Sequence, residues 1–279
     1  MTSTDLAGQN YLVTGANTGI GKETARALAQ RGARVTLAGR SEEKTRAAMA
    51  DIAATAPGAD LEYLHLDLGS IASARESATE FLARDEPLDV LINNAGMAGL
   101  HGTTADGFEM AFGVNHVGPF VFTSALLDRL KAAKAARVVN VASDAHYRAK
   151  GIDWDAVRKP TVTKIGFAEY GVSKLANVLH AQELGRRLAG TNVTTYALHP
   201  GVIASDVWRE TPQPLRGILT FFMKSTADGA KTSLHCATSD AAGGQSGLYY
   251  EKAKPKKPSP VVTPELAAEL WDRTEAWVA

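Results

Sequence analysis

The sequence predicts an α/β protein, a single domain built on a doubly wound parallel sheet of about seven strands with helices on both faces. Three observations predict it. Short apolar runs alternate with stretches of helical periodicity along most of the chain. The first run opens into a glycine-rich turn that leads directly into a helix. No repeat, linker or composition shift divides the 279 residues, a length that one α/β domain can reach, so residues 1–279 are read as one domain.

The first strand is Asn10-Tyr-Leu-Val-Thr14, followed by Gly15-Ala-Asn-Thr-Gly19-Ile-Gly21 and a helix with Ala25, Leu28 and Ala29 on one face. Strand, glycine turn and helix in that order are the context of a dinucleotide site; glycines that merely make a turn are the other reading. Gly15 permits the tight turn, Gly19 lets the backbone approach a pyrophosphate, and Gly21 allows close packing of the helix. The phosphates would meet N–H groups at the helix N-terminus, with Asn17, Thr18 and Ile20 in the same turn. The second strand, Arg34-Val-Thr-Leu-Ala38, ends in Gly39-Arg40-Ser41. NAD-binding domains commonly carry an acid here for the ribose 2′-hydroxyl, and Val35 to Ser41 contains none. Arg40 offers a planar fork for a 2′-phosphate and Ser41 a further donor, which favours NADP(H).

A helix over Glu42–Ala56 stops at Pro57-Gly58, and a third strand, Leu61 to Leu66, delivers Asp67-Leu68. The Asp67 carboxylate either accepts from an adenine amino group or caps the next helix near Ser70. The fourth strand runs from Leu88 into Asn93-Asn94-Ala95-Gly96, small residues and amides that suit a cofactor passing close to the backbone. Arg137-Val-Val-Asn-Val-Ala-Ser143 is a fifth strand. Tyr170-Gly-Val-Ser-Lys174 then places a phenol and an ammonium one helical turn apart on one face. A phenol titrates near pH ~10, and a neighbouring cation stabilises its anion. The spacing alone is common on solvated helix faces.

Composition narrows the class. Basic and acidic side chains number 30 each, so no overall charge points to nucleic acid or an anionic membrane. An apolar fraction of 45% supports a large core. The only cysteine, Cys236, excludes an intrachain disulfide and suits a reducing compartment. The polar N-terminus lacks the regions of a signal peptide, and no unbroken apolar run approaches the length of a bilayer span. A cytoplasmic protein is expected. The histidines show no metal-ligand spacing, so no metal is expected.

Taken together, these motifs resemble the short-chain dehydrogenase/reductase family over about residues 6 to 250. Thr14-Gly-x-x-x-Gly19-x-Gly21 has that family's glycine spacing, and Asn93-Asn94-Ala95-Gly96 matches its fourth-strand motif. Asn115, Ser143, Tyr170 and Lys174 match its catalytic tetrad, and Pro200-Gly201-Val202 with Ser205 matches its nicotinamide-side loop. The resemblance implies a Rossmann fold and hydride transfer to or from a nicotinamide cofactor. Tyr170 would exchange a proton with the substrate oxygen, Ser143 would hold that oxygen, and Lys174 would lower the phenol's pKa and bind the ribose. Asn115 would support Lys174 through a water. Ser143 and Tyr170 lie 27 residues apart, farther than in the family's shorter members. The intervening segment, His146 to Glu169, is similar to the insertion of the retinol-dehydrogenase-like and WW-domain-oxidoreductase-like branch. Ser205, where many members have Thr, retains the hydroxyl.

Residues 205–226 are expected to form a substrate lid, with Trp208, Leu215, Ile218, Leu219, Phe221, Phe222 and Met223. Such a lid implies a lipophilic carbonyl or alcohol; packing on the domain and shallow membrane docking by Leu215–Met223 are the other readings. His116 and His199 are expected to be hydrogen-bonded structural residues, and His146 is a candidate for the pocket wall. Leu175, Val178, Leu179 and Leu184 form a stripe that serves either a homodimer interface or the sheet. Lys252 to Pro258 reads as a solvated loop after the strand Gly247–Tyr250, and Pro264 to Val278 as a helix docked through Leu266, Leu270, Trp271 and Trp277. Two functions compete: an NADP(H)-dependent oxidoreductase, and a cofactor-binding regulator of the same fold without turnover.

Overall fold

The computed structural model describes residues 5–201 and 225–279. Along the chain lie β1 (Asn10–Thr14), α1 (Gly19–Gln30), β2 (Arg34–Gly39), α2 (Glu42–Thr55), β3 (Asp60–His65) and α3 (Ile71–Ala83). Next come β4 (Val90–Asn93), the helix α4 (Met110–Ala132), β5 (Ala136–Val141), α5 (Phe167–Arg187) and β6 (Val193–His199). After the segment outside the description come α6 (Thr226–Thr238), β7 (Leu248–Glu251), β8 (Lys254–Pro255) and α7 (Pro264–Val278). The expected lid lies outside the described residues up to position 224, as do Val202, Ser205 and the membrane-docking alternative at 215–223; its last expected residue, Thr226, opens α6.

The sheet order is β3-β2-β1-β4-β5-β6-β7-β8. Seven strands pair in parallel and the eighth pairs antiparallel with β7, one more strand than expected. β8 falls in the lysine run read as a loop. Lys252 and Ala253, both at positive φ, make a two-residue hairpin that pairs Glu251 with Lys254. Neither residue type signals that turn.

Both faces of the sheet are buried, as a parallel sheet requires. Tyr11 and Val13 pack with Ala25 and Leu28 of α1, Ile52 of α2 and Cys236 of α6. Leu12 and Val138 point the other way, against Phe81 of α3 and Phe120, Phe122 and Leu126 of α4. By length and composition α4 is apolar enough to cross a bilayer, which a search for unbroken apolar runs misses. It is mostly buried and serves as a core helix of this domain.

The α5 stripe is used inside the chain. Leu175 and Leu179 pack with Phe112, Ala267 and Leu270, and Val178 packs with Ala142, Ala197 and Tyr249 of the sheet side. α7 covers the outer side of α4 and α5. Trp271 stacks edge-on to Phe120 at 4.8 Å, Arg187 lies 4.6 Å over Trp271, and Thr274 hydrogen-bonds His116 at 3.0 Å. Burial holds His116 and His180 neutral, the latter pushed down to about 4.

Candidate active site

The strand order reverses between β2 and β4 on either side of β1, which opens a crevice beyond the C-terminal ends of the strands. A cleft of about 530 Å³ occupies it. It collects Gly15, Asn17, Thr18, Gly19, Ile20, Gly21, Arg40, Ser41, Asp67, Leu68, Asn94, Ala95, Gly96, Ser143, Tyr170, Lys174, Pro200 and Gly201, nearly the whole predicted set. Of the described catalytic and cofactor candidates only Asn115 stands behind its wall.

The glycine turn fits tightly where the sequence demanded glycine. Gly15 has φ +65°, and a Cβ there would lie 2.8 Å from the Ala95 Cα. At Gly21 a Cβ would meet the Asn94 Nδ2 at 2.4 Å and the Gly15 oxygen at 2.5 Å. Thr14 and Asn94 lock this turn to the end of β4. The Thr14 hydroxyl accepts from the N–H of Asn94 at 3.1 Å and of Ala95 at 2.9 Å, and the Asn94 amide donates to the Thr14 oxygen at 2.9 Å. No acid stands in the first turn of α1, so its N-terminal field remains positive toward the cleft. This cradle fits a dinucleotide pyrophosphate.

At the far rim Arg40 is exposed, with no hydrogen-bond or ion-pair partner among the described residues. Ser41 caps α2 by accepting from the N–H of Lys44 at 3.4 Å, and the Lys44 side chain joins the cleft wall, a basic group that sequence reading missed. Its signal was available: position N3 of a helix whose cap follows Arg40. Asp67 lines the cleft and accepts from the N–H of Gly69 at 2.9 Å, while Ser70, rather than Asp67, caps α3.

The catalytic candidates sit where β5 and α5 meet. Ser143 follows β5; its hydroxyl donates to the Asp144 carboxylate at 3.1 Å and stands close enough to the Tyr170 phenol to favour its ionised form. Lys174 donates to the Val141 oxygen at 2.8 Å and its ammonium lies 5.6 Å from the Tyr170 ring centre. A Cβ on Gly96 would stand 3.2 Å from the Lys174 Nζ, so a side chain there would crowd the ammonium. Burial pushes the phenol up to about 12, opposed by the Ser143 hydroxyl, and pushes the ammonium down to about 7. Lys174 was expected to lower the phenol's pKa. In this structure desolvation weakens the charge of both groups and Tyr170 is held as a neutral acid.

Asn115 lies in a π turn, Gly113–Val117, within α4. Its side chain donates to the Met97 oxygen and the Ser173 hydroxyl, each at 2.9 Å, and accepts from the Met97 N–H at 2.9 Å. It therefore fixes the loop after Gly96 against α5. Its main-chain oxygen accepts from Asn177 at 2.6 Å. Ser173 and Asn177 were not predicted as site residues; their only signal was a position three residues after Tyr170 and Lys174 respectively.

Two histidines also bear on the site. His199 lines the cleft and accepts from the Asp144 N–H at 3.1 Å, in keeping with a hydrogen-bonded role. His146 is a correction: it is fully buried and not in the pocket wall. Its Nε2 accepts from the Ser259 N–H at 3.1 Å, so its Nδ1 carries the proton and donates to the Ser143 oxygen at 2.6 Å. It ties the strand end bearing Ser143 to the chain beyond β8. The cleft lining also includes the apolar side chains of Met97, Ala98, Leu100, Met110 and Phe167, beside Thr103 and Thr104.

The family profile described as short chain dehydrogenase matches residues 9–155. Human retinol dehydrogenase 12 is 45% identical over 275 residues, covering 97% of this chain and 86% of the relative. Human retinol dehydrogenase 13 is 43% identical, covering 95% and 83%. Among solved structures, a Mycobacterium Paratuberculosis protein of uncharacterized function aligns with a TM-score of 0.78 and 32% identity, covering 100% of this chain and 97% of its own. A Pseudomonas aeruginosa RhlG complex with NADP aligns with a TM-score of 0.69 and 25% identity, covering 89% and 96%. Glycine cradle, strand order and relatives agree: the chain belongs to the short-chain dehydrogenase/reductase family, in its retinol-dehydrogenase-like branch, whose members bind a nicotinamide cofactor.

Proposed function

We propose that the protein is an NADP(H)-dependent oxidoreductase acting on a lipophilic aldehyde, ketone or alcohol. The observation that carries the reading is the convergence of the Ser143 hydroxyl on the Tyr170 phenol, with Lys174 one turn on, under an apolar wall of Met97, Leu100, Met110 and Phe167. A bound nicotinamide would supply or accept the hydride. Ser143 holds the substrate oxygen by a hydrogen bond that strengthens as negative charge develops. Tyr170 gives its proton to that oxygen in reduction and takes it back in oxidation. Asn115 holds the loop after Gly96, against which the cofactor would lie.

Arg40, with Ser41 and Lys44 beside it, supports NADP(H) over NAD(H), because their charges and donors suit a 2′-phosphate. The apolar wall supports a lipophilic substrate.

The test is NADPH consumption against a panel of aldehydes and ketones, with Tyr170→Phe alongside the native protein. Turnover of lipophilic carbonyls by the native protein, lost in Tyr170→Phe with NADPH binding kept, is the expected result. Tight NADPH binding with no turnover on any carbonyl would make the protein a cofactor-binding regulator instead.

A further inference from the structure

The residue after Ser143 brings a carboxylate into the cleft. Asp144 lines it together with His199, and its side chain is 55% exposed. Two histidines fix the backbone on which it stands. The His199 Nδ1 accepts from the Asp144 N–H at 3.1 Å, so its proton is on Nε2, 3.8 Å from an Asp144 oxygen. One residue earlier, His146 donates to the Ser143 oxygen at 2.6 Å. Burial lowers the pKa of both imidazoles, so neither neutralises the carboxylate at neutral pH. Among the described residues no lysine or arginine pairs with Asp144. Lys174 donates to the Val141 oxygen, and Lys256, whose charge reaches both histidines, pairs with Glu251.

This carboxylate engages the one proton that Ser143 has to give. A serine hydroxyl carries a single donor and two lone pairs, and an ionised carboxylate can only accept. The 3.1 Å contact between the Ser143 Oγ and the Asp144 Oδ1 therefore uses the serine proton. One lone pair of the same hydroxyl accepts from the Ala145 N–H at 3.2 Å. Arranged in this way, Ser143 has no proton for the oxygen of a substrate carbonyl. Asp144 and that oxygen compete for it. A second donor on the carboxylate would spread its charge over two hydrogen bonds and weaken its hold on the serine.

We propose that Asp144 is a specificity-determining residue that reads a hydroxyl on the carbon next to the substrate carbonyl, a recognition that rests on the oxidoreductase reading of the same site. By donating to Asp144, this hydroxyl frees Ser143 to donate to the carbonyl oxygen. The spans agree. A carbonyl oxygen bonded to Ser143 stands about 2.8 Å from its Oγ, hence within about 6 Å of the Asp144 oxygen. The two oxygens of an α-hydroxycarbonyl are roughly 3 Å apart, and one further hydrogen bond of about 2.8 Å closes the gap. A substrate carboxylate in the same place would meet Asp144 as a like charge, which disfavours it. The substrate class narrows to a lipophilic aldehyde or ketone with an adjacent hydroxyl, or the vicinal diol in the oxidative direction.

The experiment compares three ketones on the full chain: a lipophilic methyl ketone, its analogue with a tertiary hydroxyl on the adjacent carbon, and the methyl ether of that hydroxyketone. The ether keeps the inductive pull of the oxygen but has no proton to donate, and the tertiary carbon cannot itself be oxidised. Reduction by NADPH gives kcat/KM, and calorimetry on the protein loaded with NADP+ gives affinity without turnover. Native protein is expected to favour the hydroxyketone over its ether by about tenfold or more in kcat/KM and to bind it more tightly. In Asp144→Ala both preferences should vanish, and the plain ketone should react faster because Ser143 recovers its proton. Equal kcat/KM for hydroxyketone and ether in the native protein, or a preference that survives Asp144→Ala, overturns the proposal and leaves the carbonyl reduction standing. Selective binding of the hydroxyketone with no turnover of any ketone would sink the proposed activity and leave the recognition standing.

Discussion

The side-chain amide of Asn177 donates to the main-chain oxygen of Asn115 across 2.6 Å of buried interior. Asn115 sits in a π turn, where helical bonding is irregular and a carbonyl needs a partner from elsewhere. Through this bond α5, which carries Tyr170 and Lys174, also fixes the segment that holds the loop after Gly96.

Asn177→Leu keeps the bulk and removes the donor. It leaves a buried carbonyl unsatisfied, at a cost of about 1–3 kcal/mol. Urea unfolding should show that loss, and kcat should fall by about tenfold as Asn115 and the loop shift. Native stability and turnover in this variant would show that the bond does not position Asn115.

The pH dependence of reduction should report Lys174. Burial pushes this ammonium down to about 7 and the Tyr170 phenol up to about 12, so the acid keeps its proton across neutral pH while the cation beside it does not. kcat/KM for carbonyl reduction reflects the unliganded enzyme and should decline as pH rises through about 7. Lys174→Arg, charged throughout, should carry no inflection there, even at a lower rate. The linkage has the same origin. Between about 7 and the ordinary lysine range the unfolded chain binds more protons than the folded one, so stability should rise with pH over that window. A native profile flat through pH 7 would exclude Lys174 as the titrating group.

Cofactor choice is expected to depend on the rim of the cleft. Arg40 has no competing partner among the described residues, and a charge-assisted contact to a 2′-phosphate is worth about 1.5–3 kcal/mol, roughly ten- to a hundredfold in affinity. Arg40→Asp removes the contact and adds repulsion. The ratio of kcat/KM for NADPH over NADH should collapse or invert, by less than the full factor because solvent screens an exposed site. An unchanged ratio would mean that Arg40 does not read the phosphate.

The sequence by itself determined the sheet and the cofactor side of the cleft. Local rules govern both: short unbroken apolar runs, buried on both faces, make strands such as Tyr11–Val13, and glycine alone tolerates the backbone and the crowding at Gly15 and Gly21. Tyr170 and Lys174 were legible for the same reason, since one turn of helix sets their spacing. Other features were decided by contacts between residues far apart in the chain. The Lys252-Ala253 turn adopts positive φ in two residue types that rarely choose it, and the hairpin it closes adds the strand that sequence reading counted as loop. His146 turned inward because a buried imidazole can join two backbone groups, the Ser143 oxygen and the Ser259 N–H, from segments more than a hundred residues apart. The charge states of Tyr170 and Lys174 depend on how much of the fold surrounds them. Desolvation is a property of the assembled interior, and no local spacing of residues encodes it.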